Sequence, residues 1–561
     1  MTHYEMTVEA TDRKVEYLLR SQVREEGIRD CGGILSEERN LVEPKFSIYS
    51  FKTLVSAYCC RDSRYFESSE LLDAIKLLMA YIQGVQREDG SFDLVSVNFC
   101  SSPDTAFMAM RLVAAYRIIE RYGGMEIAGV LDDLRDVLSA AGRAMRTGGF
   151  HTPNHRWVVA AALLMAYNIV GESSFKEAAE QYLAEGIDCD EIGEWTERSS
   201  GVYNVVCDNA FIIIAEELGE QKYLEPVRRN LEFMLYHMEP DGSIYTGNST
   251  RQDVFQTVYP LSYYHLYLFM GWRDQDGRFM AMANKLMASY YAVSRDIGRR
   301  FLLPESDFLY MFLLYPELKS FQLAESDLPT NYEKYYPKSG LVRVRRGELS
   351  YSVTQNNSRF LTVMVGDLHL DLEIRSAFFA IGQFNVSQED RRWNRASTAY
   401  PIELTEDGYR LRFSAWATYF LPFDTPPTTP VYAEMDHSRR RTTTPVRHEI
   451  TVNIRGTDAG VEVMVETAGC DHVPIQLIAH VSPHCLIEGE GFLLQGKPGD
   501  GISITSGLVQ ISRHGSKVEI GPGLGRAAYL PYMAAPSETE FTLYFSGYTN
   551  LKHTFSIRKL S

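Results

Sequence analysis

Gly148-Gly149-Phe150-His151-Thr152-Pro153-Asn154-His155-Arg156-Trp157 runs directly into Val158-Val159-Ala160-Ala161-Ala162-Leu163-Leu164-Met165. A glycine turn leads to a short polar loop, and the loop passes into a helix too apolar to lie on a surface. Asn154 reads as the N-cap, its side-chain oxygen accepting from the free N–H groups of the first turn. Asn154, His155 and Arg156 thereby stand at the electropositive mouth of a buried helix, a place suited to an anionic group.

The same joint recurs along the first half of the chain. Glycine turns occur at Cys31-Gly32-Gly33-Ile34, Asp89-Gly90-Ser91-Phe92, Gly148-Gly149-Phe150, Gly193-Glu194-Trp195 and Asp241-Gly242-Ser243-Ile244. Apolar inner helices are predicted to begin near Ser47, Pro103, Asn154, Tyr203 and Tyr259-Pro260, after an opening amphipathic helix over residues 12–25. The units are roughly 45–60 residues apart, the length of two helices and their connections. Val205–Ala215 is apolar nearly all round, as a helix covered on every side must be, whereas Ser174–Leu183 is charged on one face. Stacked helical hairpins of this kind form an open solenoid or a curved (α/α) toroid. The expectation is a toroid of five to six hairpins over residues 1–325, with the pre-helix loops gathered at one end around a cleft.

Residues 326–340 read as a linker. Short period-2 segments follow: Leu341–Arg345, Leu349–Thr354, Phe360–Val365, Ile402–Leu404, Tyr409–Trp416, Val446–Arg455, Gly460–Thr467 and Ile475–Val481. Gly501–Ile504, Leu508–Ser512, Lys517–Ile520 and Glu540–Ser546 continue the pattern. The alternation predicts an antiparallel β-sandwich domain over residues 341–561.

Composition bounds the function. The 561 residues exceed one ordinary core, and 45% hydrophobic with 23% charged residues describes a folded globular chain. A net charge of −17 argues against nucleic acid as the main partner, while still allowing a local basic cleft. The Arg439-Arg440-Arg441 run reads as a solvated turn. The 34 tyrosines suit a cleft that stacks on flat ligands such as sugar rings, though tyrosine is also common in β-sandwiches. The N-terminus shows no basic n-region and no apolar h-region, and no apolar run reaches membrane-spanning length, so a cytoplasmic chain with no membrane partner is expected. Eight scattered cysteines without a C-x-x-C pair predict reduced thiols rather than a zinc knuckle or disulfide framework. Assembly into a homo-oligomer is left open.

A helical toroid followed by a large β-sandwich resembles the heparinase II/III-type polysaccharide lyases and their alginate- and chondroitin-lyase relatives. The resemblance rests on Asn154-His155 at one inner-helix start and Gly201-Val202-Tyr203-Asn204 at the next. It extends to Ser249-Thr250-Arg251-Gln252-Asp253 and to Gly366-Asp367-Leu368-His369-Leu370-Asp371. It implies an enzyme that cleaves a uronic-acid glycan, glycosaminoglycans included, by β-elimination. Asn154 is then the carboxylate neutraliser, His155 base or neutraliser, and Tyr203 general base, acid or both. Arg156, Arg198, Asn204, Arg251, Tyr259, Tyr264 and His265 are candidate substrate contacts. Amides, histidines and arginines stabilise charge moving onto the uronate carboxylate as the weakly acidic C5 proton is removed. Arginine pairs bidentately with carboxylate. No cofactor is required; the resemblance allows a divalent metal in the β-domain at His369 and Asp371, without a clear third ligand.

Structural roles compete with each of these. Asn154 serves equally as a simple cap, His155 as a core histidine, and Arg198 and Arg251 as salt-bridge partners of Glu197 and Asp253. A hydrolase would instead pair two carboxylates from among Asp104, Glu197, Asp208 and Asp253. A third reading is a glycan-binding protein without turnover.

Overall fold

The computed structural model describes residues 1–146, 148, 152–294, 307–391, 394–525 and 535–560. The chain divides into two compact units: Met1–Leu235 with Ser249–Asp253 and Val258–Leu328, and Tyr236–Asn248 with Val254–Thr257 and Pro329–Ser561.

In the first unit twelve α-helices are found among the described residues. They are α1 (His3–Ser21), α2 (Pro44–Cys59), α3 (Ser69–Val85), α4 (Ser102–Tyr122), α5 (Gly129–Arg146) and α6 (Pro153–Val170), followed by α7 (Ser173–Ala184), α8 (Tyr203–Leu218), α9 (Leu224–Leu235), α10 (Tyr264–Asp274), α11 (Gly277–Ser294) and α12 (Leu309–Leu314). α2, α4, α6 and α8 pack side by side in chain order, α8 touches α10, and α11 returns through α1 to α2, which closes a ring. Around the axis α2, α4, α6, α8, α10 and α12 enclose a cavity of about 140 Å³, walled by Met110, Met165, Ile213, Phe269 and Met311 among others. The inner helices are buried nearly all round because α3, α5, α7 and α9 cover their outer sides.

Three helix starts differ from expectation. α1 begins at residue 3 rather than 12, because Thr2 and Glu5 form a capping box there. The N-cap of α6 is Thr152, not Asn154, and its side chain makes no capping hydrogen bond. Pro153 explains the displacement: proline fits the first helical position, where its missing N–H costs nothing, and this pushes Asn154 inside the first turn. The fifth inner helix is preceded by a 3-10 turn, Leu261–Tyr263, so α10 starts at Tyr264. The glycine turn read at 148–150 lies outside the described residues except for Gly148.

The second unit holds two large, mostly antiparallel sheets. A nine-stranded sheet runs in the order Gly501–Ser503, Phe541–Tyr548, Pro474–Val481, Leu368–Ser376, Arg359–Val365, Leu349–Thr354, Leu341–Arg346, Asn331–Tyr336, with Gly382–Gln383 paired beside Leu368–Ser376. An eleven-stranded sheet is centred on Gly408–Ala417, Val446–Thr457, Gly460–Gly469 and Lys552–Lys559. Their facing sides share one core, with Val342, Val353 and Leu372 from the first and Leu411, Val452 and Val463 from the second. Gly408–Ala417 shows the alternation that the sequence predicts, with Leu411, Phe413 and Ala415 turned inward. Asn331–Tyr336, read from sequence as linker, is an edge strand paired with Leu341–Arg346. The segment Tyr236–Asn248 joins this unit because the buried Arg343 guanidinium donates to Glu239 at 2.6 Å and to the Tyr236 carbonyl at 3.2 Å.

Among the described residues no helix is long and apolar enough to cross a membrane. All eight cysteines are free thiols.

Candidate active site

The first turns of α6 and α8 and the Ser249–Asp253 segment meet in one polar cluster. Glu197, 6% exposed, is its hub. Its Oε2 accepts from the Asn154 backbone N–H at 3.0 Å and from Asn154 Nδ2 at 2.6 Å. Its Oε1 faces Arg251 Nε at 3.5 Å, and its carbonyl accepts from the Thr250 hydroxyl at 2.8 Å. The Arg251 guanidinium lies over the Tyr203 ring, 5.1 Å from its centroid. The Tyr203 hydroxyl accepts from Gln252 Nε2 at 2.9 Å. Gln252 is exposed and Tyr203 and Arg251 are half-buried, whereas Asn154 is fully buried.

The local sequence builds this arrangement. Asp253 accepts from Ser199 and Ser249 hydroxyls at 2.9 and 2.6 Å and from the Gly201 N–H at 2.8 Å, which locks the two loops together. A side chain at Gly201 would place its Cβ 2.8 Å from the Asp253 carboxylate, so that position needs glycine. Ser199 Oγ then accepts from the Tyr203 N–H at 3.1 Å and so takes up one of the free donors of the α8 N-terminus.

The expected site residues separate into those that meet and those that do not. Asn154, Tyr203 and Arg251 meet. His155 is half-buried, edge-on to Phe107 of α4 with centroids 6.4 Å apart. Arg156 is directed away: it bonds Glu185 at 2.7 Å, approaches Asp188 at 3.6 Å and covers the Trp157 ring. Arg198 reaches Glu194 at 3.4 Å, and Asn204 is buried against Met234. Tyr259 is 56% exposed on the loop before α10. Tyr264 is a core residue bonded to His3 Nδ1 at 3.1 Å. His265 bonds Asn209 at 3.0 Å and faces the axial cavity; burial, with Arg111 and Lys52 nearby, pushes it down to about 3, so it is neutral.

The sequence offers Glu197 as a hydrolase carboxylate or as a salt-bridge partner of Arg198, and Gln252 only as a neighbour of Arg251. Phe99 was missed altogether. It is 64% exposed on the Asn98–Ser101 strand that leads into α4. Arg87 and Asp93 brace the hairpin with hydrogen bonds of 2.6 and 2.7 Å, and Asp93 also accepts from the Cys100 N–H. A phenylalanine in the short segment before a helix start is the one signal in sequence that could have drawn attention to it.

The four carboxylates from which a hydrolase pair could be drawn are all withdrawn. Asp104 is tied to Ser101 and Asn98, Glu197 to Asn154, and Asp253 to the two serines. Asp208 is fully buried under Trp195, whose indole donates to it at 3.0 Å, and burial holds its carboxyl far above the usual range. Above pH ~4 the unfolded chain has lost the proton that folded Asp208 keeps, so this group lowers stability as pH rises from there toward its raised folded value. Asp208→Asn keeps the acceptor for Trp195 and removes the titration. Its melting temperature is expected to exceed that of the parent by a margin that widens from pH 5 to pH 8. A constant margin, or none, means that Asp208 is ionised in the folded chain.

In the second unit His369, Asp371 and Glu540 place ligand atoms within 4.8 Å of one another, and Glu540 supplies the third candidate that sequence did not reveal. Their chemistry does not fit a resident divalent ion. Arg359 donates to Asp371 at 2.7 Å and to both Glu540 oxygens at 2.9 and 2.6 Å, so a guanidinium already supplies the positive charge. Burial opposes charge on His369, but Asp371, by charge and hydrogen bond, lifts it to about 9. Burial likewise opposes the Asp371 charge, yet His369, Arg359 and Thr362 hold it below the usual carboxylate range.

A closed ring of helical hairpins followed by two large antiparallel sheets is the fold of the (α/α)-toroid polysaccharide lyases. No family model matches the sequence, and no curated protein does. Among solved structures, a xanthan lyase from Paenibacillus matches with a TM-score of 0.54 and 11% identity, over 100% of this chain and 57% of that one. The chondroitin AC lyase of Streptomyces coelicolor A3, in complex with chondroitin sulphate, matches with 0.53 and 11%, over 99% and 79%. A mutant of the heparan sulfate lyase HepC from Pedobacter heparinus matches with 0.50 and 10%, over 99% and 83%. The chain thus spans little more than half the length of the xanthan lyase it resembles. At such identities the likeness concerns the fold.

Proposed function

We propose that this chain is a lyase that cleaves a uronic-acid-containing glycan by β-elimination, with Tyr203 transferring the proton and Arg251 holding the uronate carboxylate. The observation that carries the reading is the Arg251–Tyr203–Gln252 group, half-buried to exposed where the Ser249–Asp253 segment meets the start of α8. A guanidinium fork pairs with the carboxylate and stabilises the negative charge that builds on it. Tyr203 or His155 removes the C5 proton, the electron pair forms the C4–C5 double bond, the C4–O bond breaks, and the departing oxygen takes a proton from Tyr203. Every group in this sequence is one of the chain's own side chains.

Asn154 has a different part from the one expected of it. Its amide donors are engaged with Glu197 and Thr152 and it is fully buried, so carboxylate neutralisation passes to Arg251 and Gln252. Exposed Phe99 and Tyr259 supply apolar faces for sugar rings. The fold shared with lyases of xanthan, chondroitin and heparan sulfate adds weight to an anionic polysaccharide as substrate. The hydrolase alternative is disfavoured because its four carboxylates are buried and engaged.

Incubation with a panel of uronate glycans, followed in the ultraviolet, is expected to produce an absorbing unsaturated product. New reducing ends without that absorbance would instead mean hydrolysis, and no product across the panel would sink the enzyme reading.

A further inference from the structure

We infer that Glu197 is the positioning residue of this site, setting the orientation of Arg251 so that its outer nitrogens meet the substrate carboxylate. The substrate rests on the lyase reading above; the support for Glu197 itself is geometric. One buried glutamate, through its carboxylate and its main-chain carbonyl, ties three segments that are distant in sequence: the first turn of α6, the loop before α8, and Ser249–Asp253. Its two oxygens do different work. Oε2 is engaged by two donors from Asn154, which fixes the carboxylate in place. Oε1 accepts no hydrogen bond and meets Arg251 at Nε, at 3.5 Å.

An arginine approached at Nε keeps its terminal nitrogens for another partner. The Tyr203 ring beneath the guanidinium restricts its remaining freedom. Glu197, being buried and pinned, does not reach substrate; it acts through Arg251. The geometry also explains why a carboxylate stands here rather than an amide. In Glu197→Gln one terminal atom becomes a donor: if the oxygen keeps both Asn154 bonds, an NH₂ group faces the Arg251 N–H and the arginine loses its anchor.

The test is a double-mutant cycle with Glu197→Gln and Arg251→Ala, reading kcat and KM on a uronate oligosaccharide. Glu197→Gln alone is expected to lower kcat/KM by about tenfold or more, chiefly through KM, as loss of one charge-assisted contact implies. In the Arg251→Ala background the same change is expected to have almost no further effect, because its route of action is gone. Effects that simply multiply, or a loss that follows the melting temperature while KM is unchanged, overturn the inference. A crystal structure of Glu197→Gln is the second, substrate-independent measurement. The guanidinium displaced from the Tyr203 ring supports the inference, and an unmoved one refutes it. If the parent protein turns over no uronate, the lyase reading has failed, and this structure alone decides on Glu197.

Discussion

Tyr203→Phe lowers turnover of a uronate glycan by about 10²–10⁴-fold, the usual contribution of a positioned acid or base, and leaves the melting temperature unchanged. The second half of the expectation follows from the surroundings of the hydroxyl. Among the described residues its one side-chain hydrogen-bond partner is the exposed Gln252, so its removal strands no buried group. The ring stays in place beneath Arg251, and KM therefore moves little. His155→Ala, which leaves the Arg251–Tyr203 pair intact, separates the roles. If it costs as much as Tyr203→Phe, His155 takes the C5 proton and Tyr203 supplies the leaving oxygen. If it costs little, Tyr203 does both. Near-parental rates in Tyr203→Phe would remove the cluster from consideration as the active site and leave the fold untouched.

The largest stability effect belongs to Arg359. Arg359→Met leaves the Asp371 and Glu540 carboxylates facing one another without the guanidinium that joins them. Breaking a buried ion pair from one side costs about 3–5 kcal/mol, or a fall in melting temperature of roughly 6–20 °C for a unit of this size. Calorimetry on the variant and parent measures it. Because the cation here is an arginine, a chelator or added divalent ion is expected to leave the parent's melting temperature where it was. A chelator-induced drop would show a resident metal and refute the arginine reading.

Much of the fold was legible because periodicity is a local property of the chain. The apolar run from Val158 to Met165 and the all-round apolar face of Val205–Ala215 need a covering on every side, and a ring of hairpins provides it. Alternation along Tyr409–Trp416 required a strand with one buried face. Helix starts were less legible. Asn154 and Thr152 are both capping residues by type, and the choice between them turned on Pro153. Residues 331–336 read as linker because Pro329 and Pro337 flank a tyrosine-rich hexapeptide, yet pairing with Leu341–Arg346 makes it a strand.

The sequence by itself determined the helical repeat, the change to β-structure by residue 341, and the placing of Tyr203, Asn154 and Arg251 on neighbouring loop-to-helix joints, since each follows from spacing along the chain. Only the tertiary structure decided how these groups are used. Asn154 is sealed behind Glu197 while Arg251 lies over Tyr203, Arg156 turns to Glu185, Tyr264 enters the core, and Arg359 stands among the residues read as a metal site. The physical reason is that burial and pairing of a polar side chain depend on partners tens or hundreds of residues away. Neither residue type nor spacing specifies which of several nearby charges it will meet.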